Sequence, residues 1–318
     1  MTRGVIGSGT HRYSRCVTLL MKLTVGALWL TAGATRRDLS SAEYLSRVDP
    51  HRTFAPVPKD AGAFGRLTEG AIGGSTVLRW QPRDHVAGRE LIYLPGGGFV
   101  NPLVSQHWWI IQRIMTATQA AITIAPYPLT PEHTVDDAQA FIDAVYDDVA
   151  GRPSTTSLFV AGDSAGGNVA ATLALRVRDG DRRPLDGLIL LSPWVDPTMR
   201  TPGAWQRERR DPTLRCAGLR AAAEAWSGTR DLHDPQISPI DDSLAGLAPL
   251  LVFQGARDVF HDDAVAFVEK ARAAGTSARA VIAEDGFHVY PGAYWTREAR
   301  EAYELIGRFV ADPSGVVG

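Results

Sequence analysis

The stretch SLFVAGDSAGGNVAATLALRV, residues 157–177, joins a short apolar run to a helical pattern through the turn GDSAGG, residues 162–167. This turn has the form G-x-S-x-G, and its small residues leave room for a sharp bend that points a serine hydroxyl outward. A helix that begins directly behind the bend aims backbone N–H groups and the positive end of its dipole at the same place. The context therefore predicts that Ser164 is a nucleophile.

Short apolar runs alternate with longer amphipathic runs from about residue 76 to the end of the chain. Most of the short runs are continuously apolar, as expected for strands that are buried on both faces. The predicted strands are Thr76–Trp80, Leu91–Leu94, Ala121–Ala125, Leu158–Ala161, Leu188–Leu191, Leu250–Phe253 and Ala278–Ile282. The predicted helices are Gln106–Gln119, Val135–Val149, Asn168–Val177, Asp262–Ala273 and Arg297–Val310. This alternation predicts an α/β fold with a mostly parallel central sheet flanked by helices on both faces.

Two segments interrupt the alternation. One is the N-terminal part, which ends in the proline-rich sequence RTFAPVPKD, and the other lies between two predicted strands at about residues 196–241. The second segment is far longer than a usual connection and is rich in Trp, Arg and Pro. We therefore predict an N-terminal cap region over residues 1–55, followed by one domain over residues 56–318. That domain carries a cap insertion at about 196–241, which we expect to form a lid over the site.

The N-terminus allows two interpretations. An apolar run at 17–30 lies between flanking arginines and is followed by an A-x-A sequence, a layout typical of a secretory signal. However, Lys22 interrupts the run, and its larger apolar residues recur at roughly helical spacing (Leu19, Leu20, Leu23, Ala27 and Leu30). We therefore expect an amphipathic helix docked on a cytoplasmic protein, in a run too short for a stable membrane span. A secreted or membrane-associated protein, with a cleaved signal or a membrane-surface anchor, is the alternative.

Charge and cysteine content exclude several classes of protein. The formal net charge of −2 gives no reason to expect a nucleic-acid partner. The arginine-rich run RERRD from Arg207 is too short for a binding tract and indicates a solvated helix face. The two cysteines, Cys16 and Cys216, are too few for a cysteine-built zinc site or a disulfide framework. The oligomeric state stays open, a homodimer included.

A serine hydroxyl becomes nucleophilic only when a base removes its proton, and that base must be oriented by an acid. In this architecture the acid and then the histidine follow the serine, each in a loop after a later strand. The loops GARDVFHDD and EDGFHVYPG place Asp258 and His288 at these positions. Neighbouring candidates fit less well. Asp262 and Asp263 resemble the acidic first turn of a helix, and His261 would lie on the wrong loop.

The glycine-rich stretch LIYLPGGGFV, residues 91–100, fits the same chemistry. Attack on an acyl group creates an oxyanion that needs fixed N–H donors, which come from the residue after the nucleophile and from a glycine-rich loop after an earlier strand. We expect Gly97, Gly98 and Ala165 to supply these donors, while Gly96 supports the turn.

The segments PGGGF, APYPLTPEH, GDSAGGN, LLSPWVD, GARDV and GFHVYPG together resemble the hormone-sensitive-lipase-like branch of the α/β-hydrolases, which contains bacterial carboxylesterases and acetyl-hydrolases. The resemblance extends from about residue 75 to the end. It implies a helical cap built from the N-terminus and the insertion, and hydrolysis of small carboxylic esters with short to medium acyl chains, without metal or cofactor. Acyl transfer to an alcohol or a biosynthetic role with the same residues is the main alternative. A ligand-binding pseudoenzyme ranks last, because Ser164, Asp258 and His288 are all retained.

One residue departs from the family pattern. Pro95 stands where the family has a histidine that is thought to brace the glycine loop with side-chain hydrogen bonds. Proline cannot do this, but it fixes its own φ near −65° and holds the preceding residue extended. The departure predicts either a brace supplied by rigid geometry or a site that is no longer tuned for simple ester hydrolysis.

Overall fold

The structure is a computed structural model of the 318-residue chain, and it describes residues 10–13, 18–32 and 41–317. Nine described strands form a single sheet. They are β1 (Thr10–Tyr13), β2 (Gly65–Ile72), β3 (Ser75–Pro82), β4 (Arg89–Leu94), β5 (Ala121–Ile124), β6 (Ser157–Asp163), β7 (Gly187–Leu191), β8 (Leu250–Gly255) and β9 (Ala278–Ala283). The strand order is β1-β9-β8-β7-β6-β4-β5-β3-β2, and only β3 runs opposite to the others. This matches the predicted mostly parallel sheet.

All seven predicted strands are present, whereas β1 and β2 were not predicted. The central strands β4 to β8 are almost entirely buried, which explains their continuous apolar character. Strand β2 is an edge strand and most of its residues are exposed, so its sequence GRLTEGAI lacks an apolar signal. Strand β1 pairs in parallel with β9 at the opposite edge.

Helices cover both faces of the sheet. The longer ones are α4 (Ser105–Thr118), α5 (Val135–Ala150), α6 (Ser164–Asp179), α9 (His261–Ala273) and α10 (Arg297–Ala311), each within a few residues of its prediction. Buried residues of α5, α6 and α9 share one hydrophobic core, and those of α4 and α10 share a second core on the other face. The shorter helices are α1 (Leu19–Ala32), α2 (Ser41–Ser46), α3 (Ala61–Phe64), α7 (Pro202–Arg207), α8 (Cys216–Ser227) and α11 (Pro313–Val317).

Helix α1 is docked on the body, but through a different face from the one predicted. Met21 and Val25 are buried in the core that α4 and α10 share, and the Thr18 hydroxyl donates to Glu298 at 2.8 Å. The predicted stripe of leucines points away from the protein instead, with Leu19 71% exposed and Leu30 84% exposed. The reason is that α1 is apolar on nearly all sides, so helical spacing of its leucines does not tell which side is buried.

The predicted N-terminal cap region is divided in the structure. Strand β1 and helix α1 lie at the sheet edge and on the α10 side, whereas α2 packs against α8 of the insertion. Cys216, at the start of α8, is buried and not in a disulfide, while Cys16 and the A-x-A sequence at 32–34 fall wholly or largely outside the described residues. Within the described ranges, no helix combines the length and apolar character needed to cross a membrane.

Candidate active site

Ser164 lies at the junction of β6 and α6, where the chain turns sharply. Its φ of +54° is in the left-handed region, which is strained for a residue with a side chain. Small neighbours make this turn feasible, since a Cβ atom on Gly166 would collide with the backbone at Leu94 and Pro95. The strand–turn–helix predicted from GDSAGG is therefore present, with Ser164 as its strained residue.

The three residues predicted to act together form one hydrogen-bonded chain. The His288 Nε2 atom lies 2.9 Å from the Ser164 hydroxyl oxygen, and His288 Nδ1 lies 2.9 Å from an Asp258 carboxylate oxygen. The other oxygen of Asp258 accepts the Phe260 backbone N–H at 3.0 Å. Because Asp258 occupies the Nδ1 side of the ring, Nε2 is left to face the serine.

Electrostatics favours a charged Asp258 and a basic His288. Burial alone lowers the pKa of His288, but the charge and hydrogen bond of Asp258 raise it above its ordinary value. Burial alone raises the pKa of Asp258, but His288 and the Phe260 N–H bring it below its ordinary value. The arrangement therefore strengthens the imidazole as a proton acceptor while the carboxylate stays ionised.

The glycine loop after β4 presents unpaired N–H groups. Gly97 has a φ of +140° and Gly98 a φ of +64°, and a Cβ atom on Gly97 would collide with the Asn101 carbonyl. No hydrogen bond within the described part of the chain uses the N–H of Gly97 or Gly98. Gly96 is different, because its N–H donates to Asp163 at 3.0 Å. The two predicted donors are thus available, and Gly96 holds the turn.

Asp163, the residue before Ser164, connects the glycine loop to the rest of the candidate site. Its carboxylate is buried and receives the Tyr93 hydroxyl at 2.6 Å as well as the Gly96 N–H. The His107 Nε2 atom lies 3.2 Å from the second oxygen of Asp163. His107 Nδ1 accepts the Val104 N–H at 2.8 Å, so that nitrogen carries no proton and Nε2–H donates to Asp163.

These three donors keep the buried carboxylate ionised. Burial raises the pKa of Asp163, but the electrostatic attraction and hydrogen bond of His107, together with the hydrogen bonds from Tyr93 and Gly96, bring it below its ordinary value. Sequence analysis did not identify this network, which performs the bracing task that Pro95 cannot. Two signals pointed to it: Asp163 is the charged x of G-x-S-x-G, and His107 stands in the first turn of the helix that follows the glycines.

A stack of aromatic rings fills the space beside the site. Phe99 is sandwiched between Trp226 and Trp194, with ring centroids 4.5 Å and 5.0 Å away. Phe260 continues the stack at 5.4 Å from Trp194, and its edge meets the His288 ring at 5.4 Å. Because all four of these aromatic side chains are buried, they form a fixed apolar wall that runs from the insertion to the histidine.

A second carboxylate lies close to Asp258. Asp211 belongs to the insertion, is fully buried, and accepts the N–H of Val259, the residue after Asp258, at 3.1 Å. Its other oxygen accepts the N–H groups of Thr213 and Leu214. Burial and the nearby Asp258 charge raise the pKa of Asp211. The prediction of a solvated helix face for RERRD is therefore wrong at its last residue, because Asp211 ties the insertion to the acid-bearing loop.

Arg52 ties the N-terminal segment to the back of the glycine loop. Its guanidinium donates to the carbonyls of Val100 and Thr130 at 2.6 and 2.7 Å and pairs with Glu132 at 2.6 Å. A cavity of about 370 Å³ adjoins this contact and reaches Gly96. The cavity is lined by Pro50, Arg52, Thr53, Phe54, Pro95, Gly96, Asn101, Pro102, Leu103, Pro126, Tyr127, Leu129, Glu132 and His133.

No cluster of three or more His, Cys, Asp or Glu side chains that could hold a metal ion occurs in residues 10–13, 18–32 and 41–317.

Comparisons with known proteins identify the family to which this chain is similar. A family model described as the alpha/beta hydrolase fold matches residues 91–292. An esterase of Acinetobacter venetianus is 30% identical over 235 residues, which cover 69% of this chain and 73% of that protein. An acetyl-hydrolase of Streptomyces hygroscopicus is 30% identical over 250 residues, which cover 76% of this chain and 82% of that protein.

Solved structures agree with the sequence relatives on the fold. The crystal structure of an esterase/lipase from an uncultured bacterium has a TM-score of 0.81 at 24% identity and covers 93% of this chain and 99% of its own. The chain therefore belongs to the α/β-hydrolase fold family, in its hormone-sensitive-lipase-like carboxylesterase branch. The corresponding enzyme class is a carboxylesterase-type hydrolase.

Proposed function

We propose that this protein hydrolyses small carboxylic esters through a covalent acyl-enzyme on Ser164. The observation that carries the proposal is the hydrogen-bonded chain from Ser164 through His288 to Asp258, with both links at 2.9 Å. His288 takes the serine proton as the hydroxyl attacks the ester carbonyl, and Asp258 stabilises the imidazolium that forms. His288 then gives the proton to the leaving alcohol, and the same residue activates the water that releases the acid.

The negative oxygen of each tetrahedral intermediate is bound by backbone N–H groups of Gly97, Gly98 and Ala165. In support, the first two groups make no hydrogen bond within the described residues, and Ala165 follows Ser164 at the start of α6. Donors that are already fixed in place need no reorganisation as charge develops, which is the main source of their effect on the rate.

The acyl group is short to medium in length on this proposal. The supporting observation is the wall of Phe99, Trp194, Trp226 and Phe260, which is buried and whose last ring, Phe260, meets the ring of His288 edge-on. The similarity to an acetyl-hydrolase points in the same direction. Trp226→Ala, which removes the wall's outermost ring, is therefore expected to shift the preference among nitrophenyl esters from acetate and butyrate towards longer chains.

The cap comprises part of the N-terminal region together with the insertion at about 196–241. Helix α2 packs on α8, and Asp211 of the insertion contacts Val259 beside Asp258. A cap held in this way positions the aromatic wall against the substrate.

The decisive test is Ser164→Ala in pure protein. We expect hydrolysis of nitrophenyl butyrate to fall by at least about 10³-fold, since the variant has no nucleophile. Ser154→Ala is the matched control, because Ser154 is exposed and precedes the start of β6, whereas Ser164 follows the other end of that strand. An organophosphate ester should label wild type and the control at Ser164 and leave Ser164→Ala unlabelled by mass spectrometry. Undiminished hydrolysis by Ser164→Ala would rule out the assignment.

A further inference from the structure

Helix α1 carries an apolar surface that no described part of the protein covers. Leu19, Leu20, Leu23 and Leu30, called here the outer stripe, are 71%, 48%, 59% and 84% exposed. The opposite side of α1 is already occupied, because Met21 and Val25 are buried against the body. A helix that is apolar on both sides is normally covered on both sides, so the outer stripe indicates a partner.

Aromatic side chains extend this surface across the protein. Trp295 is 41% exposed, and its indole N–H donates to the Thr24 hydroxyl of α1 at 3.0 Å, so it lies directly beside the helix. Trp109 is 38% exposed and its ring lies 6.5 Å from that of Trp295. Half-exposed tryptophans are typical of proteins that contact the boundary between lipid and water.

Charge identifies the chemistry of the partner. The first 37 residues of the sequence contain six Lys and Arg residues and neither Asp nor Glu. Lys22 is exposed within the outer stripe itself, where its long side chain can reach past the leucines to a polar boundary. An apolar helix face within a basic stretch of sequence matches a bilayer that contains anionic lipids.

A second copy of the chain fits the same surface less well. A two-fold dimer would place the outer stripe against itself, and each copy would then bring its exposed Lys22 to the same interface. Like charges at that interface would oppose association, whereas they favour contact with anionic lipid headgroups.

We propose that the outer stripe of α1, bordered by Trp295 and Trp109, docks the protein on the surface of an anionic lipid bilayer. The helix lies in the plane of the surface and does not cross it. Trp295 follows His288 by seven residues and Trp109 follows His107 by two, so the docked face belongs to the same segments that build the candidate active site.

The test is vesicle flotation of the full chain in a Ser164→Ala background, which separates binding from any hydrolysis. We expect binding to vesicles of phosphatidylcholine mixed with phosphatidylglycerol, and weaker binding to phosphatidylcholine alone or at high salt. The triple variant Leu19→Gln, Leu23→Gln, Leu30→Gln should bind at least about tenfold more weakly. Glutamine keeps the helix propensity of leucine, so α1 itself should be retained.

A matched triple variant tests whether any exposed apolar residue matters. Val57, Phe64 and Val86 are apolar side chains outside α1 with exposed fractions of 36–39%, and their change to Gln should leave binding within about twofold. Both triple variants, made with Ser164 intact, should hydrolyse a soluble nitrophenyl ester at the wild-type rate.

Four results would overturn the proposal. The first is no vesicle binding by the starting protein, and the second is equal binding by the outer-stripe variant. The third is a dimer in sedimentation velocity that the outer-stripe variant abolishes without any effect of vesicles, which would assign the surface to a second copy. Binding that is unaffected by phosphatidylglycerol would also contradict the assignment to an anionic surface.

Discussion

The change Asp163→Asn tests the brace of the glycine loop with almost no change in shape. Three donors point at the Asp163 carboxylate: the Tyr93 hydroxyl and the Gly96 N–H at one oxygen, and the His107 Nε2–H at the other. An asparagine amide has only one acceptor oxygen, so its NH₂ group must oppose one of these donors. His107 cannot relieve the conflict by moving its proton, because Nδ1 must stay unprotonated to accept the Val104 N–H.

The number of donors sets the expected loss of stability in Asp163→Asn. The variant loses a hydrogen bond to a charged acceptor and leaves buried donors without partners, at about 1–3 kcal/mol for each such group. We expect the free energy of unfolding to fall by about 2–4 kcal/mol in urea titrations. Activity should fall as well, since Gly96 no longer holds the two neighbouring N–H groups in place. We expect kcat for nitrophenyl butyrate to drop about ten- to a hundredfold, with KM changed little, because those N–H groups act on the transition state.

A double-mutant cycle with His107→Ala separates the proposed conflict from general damage. His107→Ala removes the donor that opposes the new amide, so the double variant should be more stable than the sum of the single effects by at least about 1 kcal/mol. Asp186→Asn is the matched control, because Asp186 accepts one backbone N–H, from Leu158 at 2.7 Å, on the surface. It should leave kcat unchanged. Additive effects of the two site substitutions within about 0.5 kcal/mol would refute the donor count.

Four further predictions follow from the same structure. Because Asp258 raises the pKa of His288, kcat/KM should fall as pH drops through that raised pKa. In pH–rate profiles, the midpoint of this fall should lie at lower pH for Asp258→Asn than for wild type. Burial raises the pKa of Asp263 from 3.8 to about 6, so the free energy of unfolding should fall by up to about 3 kcal/mol as pH rises from 4 to 7. Urea titrations of wild type and Asp263→Asn will measure this fall, which the variant should lack. Arg52→Ala should lower the free energy of unfolding by about 2–4 kcal/mol through its lost hydrogen bonds, whereas a change below about 0.5 kcal/mol would contradict the role given to Arg52. Pro95→His should change the rate of ester hydrolysis less than about threefold, because the brace is at Asp163, and a large gain in rate would contradict it.

The sequence predicts the central part of the fold well because burial on both faces leaves a strong local signal. Strands β4 to β8 are continuously apolar for this reason. The signal fails where burial is one-sided or absent, as in the exposed edge strand β2. It also fails on helix α1, whose apolar residues cover more than one side, so that the choice of buried face depends on tertiary contacts.

The candidate site shows the same division between local and distant information. Ser164 is predicted from a contiguous motif, and Asp258 and His288 follow from the order of loops in a parallel sheet. Asp211 could not be predicted in this way. Its contact with Val259 joins residues 48 positions apart, and nothing in the local pattern RERRD distinguishes a buried carboxylate from a solvated one.

The proline in the glycine loop is best explained by where the brace is attached. A histidine at position 95 would hold the loop from within, through its own side chain. In this chain the loop is held from the nucleophile's side, because the residue before Ser164 receives the Gly96 N–H. The turn that carries Ser164 and the loop that carries Gly97 are thereby joined through one carboxylate, so a displacement of either moves the other. With that link present, residue 95 needs only to direct the chain, a task that the fixed φ of proline can perform.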